Sequence, residues 1–249
     1  MALANSTTAG VEQREAEQVQ QPQQARLPLV SLALGALSLI GMMVSLWMIF
    51  FYAPEDALQG PVQRIFYFHV PMAWVGMLAF VVLTVASIGG LIRRDERWDW
   101  VARAAAEIGT VFITLALISG AIWGKPIWGT WWVWDPKLTA TLILWFIYVG
   151  YLMMRNYMGR TPDSARIGAV LAVVGVIDVP IIYLSVQWWR GQHPTAMIGV
   201  PEAALPPSAV LTLMVALVTF TLLYSFLMIQ VYQLQRLQTL AQRLRASIE

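Results

Sequence analysis

The sequence predicts an all-α polytopic membrane protein with six transmembrane helices and both termini in the cytoplasm. Three observations predict it. Hydrophobic residues fill 58% of the 249 positions and charged residues only 12%, with a mean hydropathy of +0.62. Water-soluble domains carry about 25% charged residues, so most of this surface belongs in lipid. The apolar residues fall into six runs, each near the roughly 20 residues that cross a bilayer core. Finally, lysine and arginine are unevenly divided between the two sets of connecting loops.

The chain opens on "MALANSTTAGVEQREAEQVQQPQQAR", a polar, glutamine-rich stretch that is expected to form a disordered cytoplasmic tail over 1–27. The first apolar run begins only after Arg26 and is long enough to span, which predicts a retained span and not a cleaved signal peptide. The expected spans are 28–52, 72–92, 104–124, 138–156, 166–186 and 208–232, all helical because only a helix satisfies its own backbone in lipid. Pro71 is expected in the first turn of the second. Asp135 followed by Pro136 reads as an N-cap with proline just inside the fourth, and Ser208 as a cap for the sixth. The transmembrane domain would thus occupy 28–232, with a cytoplasmic tail over 233–249.

Orientation follows from charge. Arg14, Arg26, Arg93, Arg94, Arg97, Arg103, Arg155, Arg160, Arg166, Arg236, Arg243 and Arg245 fall in one set of segments, and only Arg64, Lys125, Lys137 and Arg190 in the other. Twelve against four puts the loops 53–70, 125–137 and 187–207 outside. The net charge of +2, without a basic stripe or motif, gives no support for nucleic acid as a partner. Absent cysteine excludes disulfides, thiolate metal sites and C-x-x-C-H haem attachment.

The outer face collects the unusual residues. Both histidines lie there: His69 in "FYFHVPMAW", expected just before the second span, and His193 in "QWWRGQHPTAM". Between them "WGTWWVWDPK" holds Trp128, Trp131, Trp132 and Trp134 within seven positions, followed by Asp135; Trp123, Trp188 and Trp189 join the same face. On a helix, Trp128, Trp131, Trp132 and Asp135 would share one side; in an extended loop the indoles would splay. An interfacial aromatic belt would account for tryptophan at headgroup level. A platform for a large flat ligand accounts for its concentration, since indoles stack on π-surfaces at low rotamer cost. A lone histidine is often an ordinary interfacial residue. Two beside such a platform suit the axial positions of haem iron, whereas zinc would want further ligands than Glu55, Asp56, Asp135 and Glu202 offer at their spacings. Arg64, Lys125, Lys137 and Arg190 are candidate partners for the propionates, with lipid phosphate as the alternative. Asp178 stands within the fifth span, where the ordinary reading is a neutral or hydrogen-bonded acid facing the bundle interior. Glu107 lies near the cytoplasmic end of the third.

"WGTWWVWD" resembles the WGxxWxWD signature of the membrane proteins that handle haem in cytochrome c biogenesis. Six spans with one outer histidine on each side of that signature resemble the haem exporter protein C (CcmC) family, as do "FYFHVPMAW", "WGKPIWGTWWVWDPKLT" and "VPIIYLSVQWW". The resemblance implies a protein of the bacterial inner membrane that holds exchangeable haem b on the periplasmic side. His69 and His193 would be its axial ligands, with Trp128, Trp131, Trp134 and Asp135 as the signature; Trp132 fills a variable position. It further implies delivery to the haem chaperone CcmE, alongside the CcmA–CcmB transporter and the one-span subunit CcmD. The role is that of a haem-delivery subunit and not of a catalyst on its own. A bis-histidine redox subunit exchanging electrons with quinone is the alternative, although its histidines would be expected inside spans. A scaffold that merely docks a partner, or a haem conduit, are further readings. No G-x-x-x-x-G-K-[ST] loop is present for ATP hydrolysis.

Overall fold

The computed structural model describes residues 29–189, 191–193 and 205–248. The polar tail 1–27, Arg190 and Glu202 lie outside the described residues. Six helical segments are long and apolar enough to cross a membrane. They are α1 (Leu29–Tyr52), α2 (Phe66–Arg93), α3 (Glu96–Trp128), α4 (Pro136–Tyr157), the pair α5 (Pro162–Gly175) and α6 (Asp178–Trp188), and α7 (Pro207–Ala246).

Several boundaries differ from expectation for identifiable reasons. The second span begins earlier, through a 3₁₀ turn over Pro61–Ile65 that leads into α2, so Pro71 lies inside the helix. The backbone bond lost at Pro71 is offset by burying Phe66 and Tyr67 against Ile49, Ala53, Ala209 and Leu213. His69 is therefore a helical residue and not a loop residue. The fifth span is interrupted: α5 stops at Gly175 and α6 starts at Asp178, two residues before Pro180, whose ring cannot continue the α5 ladder. Asp178, 9% exposed, sits at this break. The sixth helix is not capped by Ser208; Pro206 is the N-cap and Pro207 the first helical residue, where a missing N–H costs nothing. That helix runs unbroken through Ala246, 40 residues or about 60 Å, twice a hydrocarbon core. Asp135 behaves as expected, its side chain accepting from the Lys137 N–H at 2.9 Å with Pro136 opening α4.

The core lies among α2, α3, α4 and the broken fifth span, where Phe80, Leu83, Ile113, Leu144 and Tyr148 are sealed together. Polar groups inside are paired across helices: the Tyr148 hydroxyl donates to the Gly76 carbonyl at 2.8 Å, and Thr84 to the Ala172 carbonyl at 3.1 Å. By contrast α1 is peripheral. Its buried stripe is Ser31, Ser38 and Ser45, seven residues apart, and it meets α7 through Ser45–Thr219 and Gln230–Ser31 hydrogen bonds of 3.2 and 2.6 Å.

The loops separate into two ends as the charge pattern requires. At one end the Trp123 indole donates to Gln59 at 2.9 Å, and Asp135 accepts from the His193 N–H. At the other, Arg155 pairs with Asp99 and Arg243 with Glu96. The loops 53–65 and 129–135 and the residues 191–193 thus gather on one face, together with His69 near the start of α2.

Candidate haem site

His69 projects from the first turn of α2 toward α3. Its Nδ1 is 3.1 Å from Ser119 Oγ, and that hydroxyl donates onward to the Ala116 carbonyl at 3.1 Å. With its proton committed, Ser119 accepts at the imidazole, which places the ring proton on Nδ1 and leaves a lone pair on Nε2. The ring lies directly against α3: a Cβ built on Gly120 would come within 2.9 Å of His69 Cε1. Trp123, one turn further along α3, contacts the same imidazole edge-on at 5.8 Å between centroids.

His193 reaches the same face from the other side, at the end of the short segment following α6. Its backbone N–H donates to Asp135 Oδ2 at 3.3 Å. A Cβ at Gly191 would overlap that carboxylate oxygen, so only glycine lets the segment approach. The ring packs edge-on against Trp128 at 6.0 Å, and its buried Nδ1 has no hydrogen-bond partner among the described residues. Burial, reinforced by the positive charge of Lys137 and by the neighbouring His69 and partly offset by Asp135, pushes the His193 imidazole down to about 3. It is therefore neutral at physiological pH. The two histidines are close enough for the charge of one to act on the other. The neutral His193 imidazole and the free Nε2 of His69 are the kind of donor that the axial positions of haem iron take. Among the described residues no group of three or more His, Asp or Glu gathers as a metal site.

The tryptophan segment is extended, not helical: Trp128 closes α3, Gly129 takes a left-handed φ of 75°, and the chain runs irregularly to Asp135. The indoles consequently splay. Trp131 and Trp134 are 58% and 76% exposed, while Trp132 packs edge-on to Trp134 at 5.7 Å. Trp132 also lines a cavity of about 300 Å³ with Leu117, Ile118, Ala121 and Leu142, and its buried Nε1 has no hydrogen-bond partner among the described residues. Trp188 and Trp189 stand exposed at the end of α6, edge-on to each other at 5.8 Å. Exposed indoles of this number are unusual on a surface unless a membrane or a ligand covers them.

The candidate propionate partners among the described residues are not equivalent. Lys137 is near enough for its charge to act on both imidazoles. Lys125 lies 5.9 Å above the Trp131 ring and donates to the Gly129 carbonyl at 2.9 Å. Arg64 is held away by Glu55 at 3.8 Å and by the Phe50 ring. Three contributors escaped the sequence reading: Ser119, Gly120 and Gln59. The signal for two of them was "SGAIWG", where Gly120 and Gly124 form a G-x-x-x-G on α3 that admits His69 at one step and Trp128 at the next.

Comparison with known proteins identifies the family. The profile of the family described as "CcmC: Heme exporter protein C" matches residues 17–247. The chain is 41% identical over 173 residues to Heme exporter protein C of Bradyrhizobium diazoefficiens, covering 69% of this chain and 66% of that protein. It is 41% identical over 144 residues to Heme exporter protein C of Escherichia coli (strain K12), covering 58% and 59%. The protein of the same name from Haemophilus influenzae is 36% identical over 195 residues, covering 77% and 78%. The aligned chain thus spans about two thirds of the first relative and less of the second. With a match that leaves out only the first 16 residues and the last two, the chain belongs to the CcmC, heme exporter protein C, family.

Proposed function

We propose that the protein binds haem b as exchangeable cargo at the periplasmic face of the bacterial inner membrane and presents it for cytochrome c maturation. The observation that carries this reading is the convergence of two neutral imidazoles, His69 from a helix and His193 from a loop, on one tryptophan-lined face. His69 offers Nε2 with its proton parked toward Ser119, and His193 offers a ring that burial keeps deprotonated. The exposed Trp131, Trp134, Trp188 and Trp189 supply π-surface for the macrocycle, and Lys137, with Lys125, a counter-charge for propionates. Haem, when bound, supplies the iron and the vinyl group that an acceptor must reach. On the family resemblance, that acceptor is the periplasmic chaperone CcmE, and the protein works with the CcmA–CcmB transporter and CcmD.

The test is an absorption spectrum of the purified chain. Six-coordinate, low-spin haem is expected in the wild type and loss or conversion of it in both His69→Ala and His193→Ala. Retention of wild-type haem content and spectrum by both variants would remove the ligation from the proposal.

One observation favours the redox alternative: His69 lies inside a span, as in electron-carrying subunits. His193 sits instead on a short segment flanked by exposed indoles, a poor place for a permanent group but a suitable one for cargo that must leave. Quinol oxidation by the haem-loaded protein at turnover rates would reverse that preference.

A further inference from the structure

The outer loop between α1 and α2 folds into a hydrogen-bonded turn that reaches back to the histidine site. Asp56 Oδ1 accepts from the backbone N–H groups of Leu58 and Gln59, both at 2.8 Å, and the Asp56 carbonyl accepts from the Gly60 N–H at 2.9 Å. Gly60 closes the turn at a φ of 58°, which glycine adopts without strain. The Gly60 carbonyl then accepts from the Gln63 N–H at 3.3 Å, inside the 3₁₀ turn that feeds α2. Gln59 is thereby fixed by its own backbone, and its side-chain carbonyl accepts from the Trp123 indole of α3 at 2.9 Å.

Trp123 in turn packs on the first turn of α2. It meets Phe66 edge-on at 6.0 Å and the His69 imidazole edge-on at 5.8 Å between centroids. Three positions on one face of α3 therefore meet the imidazole: Ser119 beside Nδ1 at 3.1 Å, Gly120 beneath Cε1, and Trp123 one turn on. The Ser119 bond alone leaves the ring free to swing about that contact, because one hydrogen bond fixes a point and not a plane. Trp123 supplies the second contact, and only while the indole keeps its own orientation. Water or a headgroup would serve a half-buried indole N–H at this level in several orientations. An acceptor from a turn 64 residues away selects one of them.

We propose, on the reading that His69 ligates haem iron, that Gln59 is a positioning residue for that ligand and acts through Trp123. Asp56 shapes the turn, Gln59 orients the indole, and the indole with Ser119 fixes the plane of the imidazole. Groups that orient a metal-binding imidazole without touching the metal strengthen its binding by holding the ring ready. Losing the Gln59 bond leaves the ligand in place but lets the indole turn and the imidazole plane drift. The turn lies outside the tryptophan signature and outside both helices that meet at His69, so it adds a determinant that the signature does not contain.

The experiment uses the full chain in lipid nanodiscs, loaded with ferric haem. It reads the low-spin lines of the electron paramagnetic resonance spectrum, which report the relative orientation of axial imidazole planes, and the rate of haem transfer to a competing apoprotein. Gln59→Met keeps the side chain's length without a carbonyl acceptor; shifted lines and about fivefold faster release are expected, the size of one neutral hydrogen bond. Gln59→Glu keeps an acceptor oxygen and should restore both. Trp123→Phe should shift the lines as well, and adding Gln59→Met to it should change nothing further. In the haem-free chain the Trp123 indole N–H, identified by NMR through its loss in Trp123→Phe, should exchange faster with solvent in Gln59→Met. A wild-type spectrum in His69→Ala would overturn the ligation itself, and the role of Gln59 with it. Loss of the low-spin lines in His69→Ala, with wild-type lines and release in Gln59→Met, would leave the ligation standing and overturn the role of Gln59 alone. An equal effect of Gln59→Met with and without Trp123 would show that it does not act through the indole.

Discussion

Asp135 Oδ2 accepts a hydrogen bond from the backbone N–H of His193 at 3.3 Å, while Oδ1 of the same carboxylate caps α4 through the Lys137 N–H at 2.9 Å. The aspartate that ends the tryptophan signature is thus the joint between the start of the fourth span and the segment bearing His193, 58 residues later. It positions His193, the proposed ligand, through the backbone.

The two bonds can be separated by substitution. Asn caps helices about as well as Asp, so Asp135→Asn should keep the α4 cap but weaken the tether to His193. Asp135→Ala removes both, with about 1 kcal/mol lost from the cap. The expected result is faster haem release from both variants and a lower melting midpoint only for Asp135→Ala. Equal release rates in wild type and Asp135→Asn would show that the tether does not hold His193.

Ser119 fixes the tautomer of His69 from behind, as ligand-orienting partners commonly do for metal-bound imidazoles. Losing such a partner typically weakens metal affinity 10- to 100-fold. The Ala116 carbonyl also lies within hydrogen-bonding reach of the ring, so the loss in Ser119→Ala should be near the lower limit, about tenfold. Haem transfer to a competing apoprotein measures it. Ser119→Thr, which keeps the hydroxyl, should recover most of the affinity.

The span count, the two-ended charge distribution, the Asp135 cap and the grouping of His69, His193 and the tryptophans on one face were all legible as patterns of hydrophobicity, charge and proline. What was not legible depended on tertiary contact. Pro71 looked like a helix start because proline usually is one, yet burial of Phe66 and Tyr67 carried α2 past it. The break before Asp178 was masked by the uninterrupted apolarity of the fifth span. Ser119 looked like any small polar residue in a span, and only the fold brings it to an imidazole 50 residues away.

Gly120 tests whether His69 has room to spare. A methyl group there would lie 2.9 Å from Cε1 of the imidazole, closer than packed carbon atoms sit, so Gly120→Ala should displace the ring and reduce haem occupancy. Gly150, on α4, has nothing within 4 Å of its missing Cβ. Gly150→Ala should leave binding unchanged and stabilise the helix by up to about 1 kcal/mol. The pair distinguishes crowding at the ligand from a general effect of alanine, and circular dichroism with haem titration reads both.

The last prediction concerns pH. The His193 imidazole is held down to about 3, against an ordinary value of 6.5, first by burial and then by Lys137 and His69. Between those values the unfolded chain binds a proton that the folded site refuses. This group's contribution to stability is therefore fully present above pH 6.5 and is lost as pH falls through that window toward 3. Within the same window the native ring stays neutral and ready to ligate. A solvated imidazole would lose about 30-fold in iron affinity at pH 5 through protonation alone. The protein should instead show haem affinity changing by less than about threefold on going from pH 8 to pH 5, while its melting midpoint declines below pH 6.5. In Lys137→Gln the lysine cation that opposes protonation is gone, so His193 should titrate at a higher pH and the acid loss of haem should begin earlier. A haem-binding curve that drops with a midpoint near 6.5 in the wild type would mean that His193 is open to water and that burial does not govern it.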